Sequence, residues 1–383
     1  MEKQKVGVFS WYFPTYRDAV FTCLSENADF DFTFFSGSPP AKKFIVESDY
    51  KKYKFHPIRV FYFNIPGTKN SITYRTGVIS ALSRRQFDVF FITNDILGID
   101  TWICAILGRI LKVPVIIWGQ GISRPPSLLR NMLRLSLTKL ARAALYYTEG
   151  GKNYWLKKGI PPEKMFVAYN ALDTNAQITL RNSISQNDLD KFLEAENLSG
   201  RVLVTFLGRL VPQKKPIIFL EAIQSALTFN PNIFGLFIGN GPERICLEEQ
   251  AKNMGISHAV RFIGDLYNEN ILAKYLMSSL AVILPAFAGL AIQHAAVYGT
   301  PIILGDLPNS HGPEIEIVEN EKTGLFCPDE DANAFALAII RLNRDIALRQ
   351  SLSDNLKRTI DLKFNVNNMA QGFIDAIRYC LGK

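Results

Sequence analysis

The chain has 383 residues, too many for one ordinary hydrophobic core, and two domains are the natural division. Its 48% hydrophobic and 12% aromatic content excludes a disordered chain. The net charge of +8 is uneven: residues 1–180 hold twenty-four Lys and Arg against thirteen Asp and Glu, while the remainder holds nineteen against twenty-two. The excess suits a phosphate-bearing or anionic-surface partner, or plain solubility.

The chain begins MEKQKVGVFSW and runs straight into a strand, with no signal-peptide pattern. Short apolar runs then recur at helix-sized intervals: VGVFSW, FDFTFFSG, RVFYFN, FDVFFIT, VPVIIW, ALYYTE and MFVAYN. They are nearly continuous rather than alternating, which predicts parallel strands covered by helices on both faces. Tyr16 and Arg17 follow the first strand, where Arg17 is either an acceptor or phosphate contact or a helix surface residue. Residues 98–118 are the most apolar stretch, but Asp100, Arg109 and Lys112 exclude a membrane span. After VPVIIWGQG comes RPPSLLRNMLRLSLTKLARAALYY. Its interleaved Arg and Leu suit an anionic membrane surface or a lipid-diphosphate acceptor; the alternative places the leucines in the core and the arginines in solvent.

Residues 174–200 are polar and interrupt the strand rhythm, so they read as an inter-domain connection with a short helix around DLDKFLEAE. A second alternation follows: RVLVTFLG, IFGLFIG, VRFIG, LAVILP, PIILG and TGLFC. The last segment spaces Met369, Phe373, Ile377 and Leu381 as one helical stripe, which must dock somewhere. The expected domains are 1–173, linker 174–200, 201–362 and a terminal helix 363–383. Five cysteines (23, 104, 246, 327, 380) show no metal spacing and fit unpaired thiols in a reducing cytosol.

Chemistry-bearing residues gather in the second half. In FLGRLVPQKKP a strand ends at Gly208, and Arg209 and Lys214 follow; together they could neutralise a diphosphate without a metal, or be ordinary surface cations. FIGNGPE places Gly239 and Gly241 at a strand end, where open α/β sheets bind ligands. It is not a dinucleotide fingerprint, because Arg244 stands at the third glycine, and this disfavours a nicotinamide dehydrogenase. PAFAGLAIQHAAVYGTP (285–301) reads as strand end, glycine turn and helix, an arrangement that presents backbone N–H groups to phosphate.

GRLVPQK, GNGPE, RFIGDL, GLAIQHAAVYGTPII and EIVENEKTGLF occur in an order and spacing that resembles the retaining nucleotide-sugar glycosyltransferases of glycosyltransferase family 4 (glycosyl transferases group 1). The resemblance is strong over residues 201–345 and weaker in the first half, through VPVIIWGQG and FVAYNALD. It implies an α/β GT-B fold: two facing Rossmann-like domains, with a C-terminal helix crossing back to the N-terminal domain. It implies donor binding mainly on the C-terminal domain and acceptor binding mainly on the N-terminal one. It also implies that Arg209 and Lys214 stabilise the departing diphosphate, that Gly289 and Leu290 offer N–H groups to it, and that Gly208, Gly239, Gly241, Gly264, Asp265 and Leu266 line the donor pocket. Tyr16, Arg17 and Arg124 are the acceptor-side candidates.

The chain departs from the family pattern at three places. Two family glutamates would fall at 286 and 294, where Ala286 and His294 stand, and a frequent family histidine is replaced by Gln120. A neutral His294 could still meet ribose hydroxyls, or could simply pack its helix. Gln120 can hydrogen-bond but cannot act as a base. Ala286 cannot replace a carboxylate, and Glu314 in SHGPE is a candidate stand-in. Three DxD triplets, at Asp29, Asp188 and Asp329, read as accidental rather than as a metal site.

The expectation is therefore a hexosyl-type, retaining, metal-independent transferase in surface polysaccharide assembly. It would be cytoplasmic, with the inner face of the membrane as a candidate surface. No cofactor is expected beyond the nucleotide sugar as co-substrate, the acceptor is a glycan, free or lipid-linked, and nucleic acid is not an expected partner. A homologue that binds without transfer is the first alternative, and a nucleotide-sugar 2-epimerase-like isomerase the second.

Overall fold

The computed structural model describes residues 2–38, 50–68, 70–121, 127–307 and 310–382. The chain divides into two compact units: Met1–Asp173 with Asn365–Lys383, and Thr174–Phe364.

The first unit runs β1 (Gln4–Phe9), α1 (Asp18–Ser25), β2 (Phe30–Ser36), β3 (Phe55–Pro57), β4 (Val60–Asn64), β5 (Ser71–Arg75), α2 (Val78–Ser83), β6 (Val89–Thr93), α3 (Ile99–Leu111), β7 (Val115–Gly119), α4 (Leu128–Leu140), β8 (Ala143–Tyr146), α5 (Glu149–Leu156) and β9 (Met165–Val167). Among the described residues it forms a seven-stranded parallel sheet, order β3-β2-β1-β6-β7-β8-β9. Phenylalanines fill its core: Phe9 stacks on Phe35 at 4.4 Å, and Phe21 lies 4.5 Å from Phe34. RVFYFN departs from the expectation. As β4 it pairs antiparallel with β5, outside the main sheet, and leaves Phe61 and Phe63 exposed. The hairpin is tied to α3 by a buried ion pair, Arg75 Nε to Asp100 Oδ2 at 2.7 Å, and to the loop before α3 by a hydrogen bond from Thr73 to Asp95. A buried charge pair needs such close partners to offset its desolvation.

The second unit begins with α6 (Thr174–Ser183) and α7 (Gln186–Ala195), so residues 174–200 are not a free connection but part of this unit. Ser185 and Asp188 form a capping box that starts α7. There follow β10 (Val202–Leu207), α8 (Pro216–Leu227), β11 (Ile233–Ile238), α9 (Arg244–Asn253), β12 (Val260–Gly264), α10 (Glu269–Met277), β13 (Ser279–Leu284), α11 (Leu290–Val297), β14 (Ile302–Asp306), β15 (Gly324–Pro328), α12 (Ala332–Arg344) and α13 (Ile346–Leu362). The six strands run parallel in the order β12-β11-β10-β13-β14-β15. Every residue of β11 and of β13 is buried, as their unbroken apolar sequences require. Strand order reverses between β10 and β13, and open α/β sheets bind ligands at the carboxyl ends of the strands at such a point.

The terminal helix α14 (Val366–Leu381) belongs to the first unit. Met369, Phe373 and Ile377 are buried there, with Phe373 5.4 Å from Trp118. Gly372 lets the helix touch β9: a Cβ would lie 2.3 Å from the Val167 carbonyl oxygen. Gly372→Ala is expected to lose about 1–3 kcal/mol through overpacking, read as a lowered denaturant midpoint.

Candidate functional site

Three strand ends of the second unit are joined by their backbones. Gly208 N–H donates to Ile238 O at 2.9 Å and Gly239 N–H to Gly264 O at 2.8 Å, while Leu210 N–H reaches Asn240 O at 2.9 Å. Gly208, Gly239 and Gly264 adopt φ of +142°, +129° and +87°, which only glycine takes without strain. There is also no space for a side chain. A Cβ on Gly239 would lie 2.2 Å from Gly208 O, and one on Gly241 2.2 Å from Leu210 O. Asp265, exposed, and Leu266, half-buried, continue this rim after β12.

Arg209 and Lys214 stand on the loop after β10. Lys214 Nζ donates to the Phe287 carbonyl oxygen at 2.6 Å, which ties this loop to the loop after β13. Burial, then the Arg209 guanidinium, holds the Lys214 ammonium below the usual lysine range, with Glu314 opposing. Phe287 itself sits at φ +45°, a costly conformation for a bulky residue and one found at ligand-binding turns. Two residues on, Gly289 caps α11 with no side-chain cap hydrogen bond, at the positive end of the helix dipole. Leu290 starts the helix.

Glu314 lies on a short helical turn, Pro313–Ile317, and is buried. Its Oε2 would be 3.9 Å from a Cβ on Gly289, which places a carboxylate beside the start of α11 and within electrostatic reach of Lys214. His311 secures the loop that carries it. Its Nδ1 accepts from Ala288 N–H at 3.2 Å and its Nε2 donates to Gly305 O at 2.8 Å, a pattern that assigns the neutral tautomer. Ala286 is buried, so the missing carboxylate leaves no gap at the surface.

His294 has close polar partners on two other helices. Its Nδ1 is 3.3 Å from Glu269 Oε1, at the start of α10, and 3.2 Å from Gln177 Nε2 on α6. Glu269 also accepts from Gln177 at 2.8 Å and from the Tyr298 hydroxyl at 2.6 Å. Burial raises the Glu269 carboxyl, but the hydrogen bond and charge of His294, with Tyr298 and Gln177, outweigh it and bring it to about 2. The same carboxylate pushes the Tyr298 hydroxyl upward, after burial. The position where the family has an acid therefore holds a histidine anchored on another acid. Neither Glu269 nor Gln177 was a sequence candidate. Glu269 reads only as a helix-start acid, and Gln177 lies in the segment taken as a linker.

In the first unit, Gln120 is exposed at the end of β7 and Tyr16 is partly exposed. Arg17 is only 4% exposed, its Nη1 lies 3.3 Å from Met369 Sδ, and its guanidinium stacks on Tyr147 at 4.8 Å. The return of α14 therefore packs against it. Arg124 lies outside the described residues. Sequence reading missed Asn94, at the end of β6 beside the β1/β6 strand-order reversal. Both its amide atoms are buried without a partner, and its N–H donates to Trp118 O at 2.8 Å. The DxD acids have structural tasks: Asp29 pairs Arg378, Asp188 caps α7, and Asp329 pairs Lys215.

Residues 175–359 match the family profile of glycosyl transferases group 1, nearly the whole second unit. Over that stretch the chain is similar to the glycosyl transferases of group 1. An uncharacterized glycosyltransferase of Methanocaldococcus jannaschii is 25% identical over 233 residues, 58% of this chain and 55% of that relative. The chain thus spans about half the length of the first curated relatives it matches, or less. Anabaena HepE, solved in complex with UDP, matches with TM-score 0.72 at 15% identity, over 98% of this chain and 99% of HepE. A glycosyltransferase of Rickettsia africae matches with TM-score 0.74 at 13% identity, over 100% and 99% of the two chains. The fold is that of the GT-B glycosyltransferases. Among the described residues, no helix is long and apolar enough to cross a membrane.

Because the folded Glu269 carboxyl lies near 2 against an ordinary 4.5, it favours the fold above 4.5 and loses this contribution as pH falls from about 4.5 through about 2. Melting temperature should therefore fall less steeply below pH 5 in Glu269→Gln than in the unaltered protein, as followed by thermal melts across acid pH.

Proposed function

We propose that the protein transfers a hexosyl group from a nucleotide diphosphate-sugar to a glycan acceptor, lipid-linked acceptors among them, with retention and without a bound metal, in surface polysaccharide assembly. The observation that carries this reading is the Arg209–Lys214 pair beside the start of α11, at the strand-order reversal of a group 1 domain.

In this reading the diphosphate lies against the glycine strand ends and the N–H groups after Gly289. The bond from the anomeric carbon to the diphosphate oxygen breaks, and the acceptor oxygen bonds to that carbon on the same face. The acceptor proton passes to the departing diphosphate. Arg209 and Lys214 stabilise the negative charge that develops there, in place of a divalent ion. No Ala286 carboxylate is available to the sugar, so Glu314 is assigned that neighbourhood, and Glu269–His294 the ribose hydroxyls. Retention follows the family 4 resemblance. The UDP bound by HepE makes uridine nucleotides the first donors to try.

The test is nucleoside diphosphate release from a panel of nucleotide sugars, with and without glycan acceptors. Release from one donor is expected, with Arg209→Ala or Lys214→Ala lowering kcat by about 100-fold. Glu314→Gln should lower turnover with one donor sugar more than it lowers nucleotide affinity. Binding without release across all acceptors would replace transfer by the binding-only reading.

A further inference from the structure

A cavity of about 490 Å³ lies at the amino ends of β7, β8 and β9, the edge of the first unit's sheet opposite to Asn94 and Gln120. Arg109, Lys112, Arg142 and Lys164 line it, and among the described residues no acid does. Its remaining walls are mostly apolar, Val113, Val115 and Leu140 among them. The carboxyl ends of α3 and α4 meet here, and cations often serve only to cap such ends. That task is already filled. Arg85 Nη2 donates to Leu111 O at 3.0 Å, and Arg109 donates to Lys139 O at 2.8 Å and to Leu140 O at 2.9 Å. Lys112, Arg142 and Lys164 are left over. Among the described residues, none of the three makes a salt bridge or a side-chain hydrogen bond. Arg142 lies over the Tyr379 ring at 4.7 Å, a contact that uses no N–H group.

The backbone holds these cations in place. Lys112 ends α3 at φ +56° and ψ +32°, the left-handed conformation that glycine usually supplies at a helix end. The chain thus sets a cation where glycine would be less strained. Gly108 presses α3 onto β7: a Cβ there would lie 2.6 Å from Val115 Cγ2 and 2.8 Å from Val113 O. Lys164 is half-buried. Burial, then Arg109 and Arg142, holds its ammonium below the usual lysine range, although the neighbouring Glu163 opposes. Like charges are therefore held together at a cost that a bound anion would relieve.

We infer that this cavity is a second phosphate site, which binds a small soluble diphosphate between Lys112, Arg142 and Lys164. Arginine forks onto two phosphate oxygens and lysine adds a mobile point charge, so the set matches phosphate chemistry. Three cations without a partner, and Arg109 beside them, exceed what one phosphate group neutralises and suit two. The ligand is soluble because none of the exposed apolar residues of α3 and α4, such as Ile110, Leu128 and Leu129, lines the cavity. The inference stands apart from sugar transfer, since binding is read without turnover.

The test is calorimetric titration of inorganic pyrophosphate into the full-length chain carrying Arg209→Ala with Lys214→Ala, which silences the second unit's cation pair. Pyrophosphate should still bind, more tightly than monophosphate and more weakly as salt rises. Adding Lys112→Gly with Lys164→Gln should cut the affinity about tenfold or more. Glycine suits the backbone at position 112, so Lys112→Gly alone should weaken binding without lowering the melting temperature, which separates a lost cation from a lost fold. Absence of pyrophosphate binding in the first variant, or binding untouched by Lys112→Gly with Lys164→Gln, would overturn the inference. So would monophosphate binding as tightly as pyrophosphate, or capture by phosphatidylglycerol vesicles alone.

Discussion

The candidate site rests on a steric constraint: Gly239 and Gly241 have no room for even a methyl group, because the Gly208 and Leu210 carbonyls occupy that space. The loops after β10, β11 and β12 are thereby pressed together, and their N–H groups are spent on one another rather than on water. This fixes the path of the chain from Gly208 to Lys214. From there one hydrogen bond to Phe287 O carries the constraint across the strand-order reversal to the start of α11. Rigid placement matters for electrostatic stabilisation, which works by dipoles and charges already aimed before the reaction begins. Lys214 is partly desolvated next to a second cation, so an anion placed between them relieves a cost that the free protein bears.

Much of this was legible in the sequence because it is local. Unbroken apolar runs such as IFGLFI announce a strand buried on both faces, and glycines at its end announce a close backbone approach. What was not legible depends on partners distant in the chain. VFYFN has the composition of a parallel strand, yet its side chains are mostly exposed because it pairs with β5 in a separate hairpin. Arg17 looks like a surface cation until α14, three hundred and fifty-two residues on by its Met369 contact, returns to cover it. His294 reads as an isolated ring until α10 and α6 bring Glu269 and Gln177 to it.

The two units therefore carry different physics. The second concentrates glycine, backbone donors and a cation pair at one crevice, which suits a small dianionic group. The first holds the excess positive charge.

The most direct test of the central claim is calorimetric titration of nucleoside diphosphates into the unaltered protein and into Lys214→Ala. Charge-assisted hydrogen bonds contribute about 1.5–3 kcal/mol each, so affinity for the favoured nucleotide should fall by about tenfold or more in the variant, and nucleoside without phosphate should bind both alike. Equal diphosphate affinity in the two proteins would contradict the placement of the diphosphate at Lys214, and with it the account of the site.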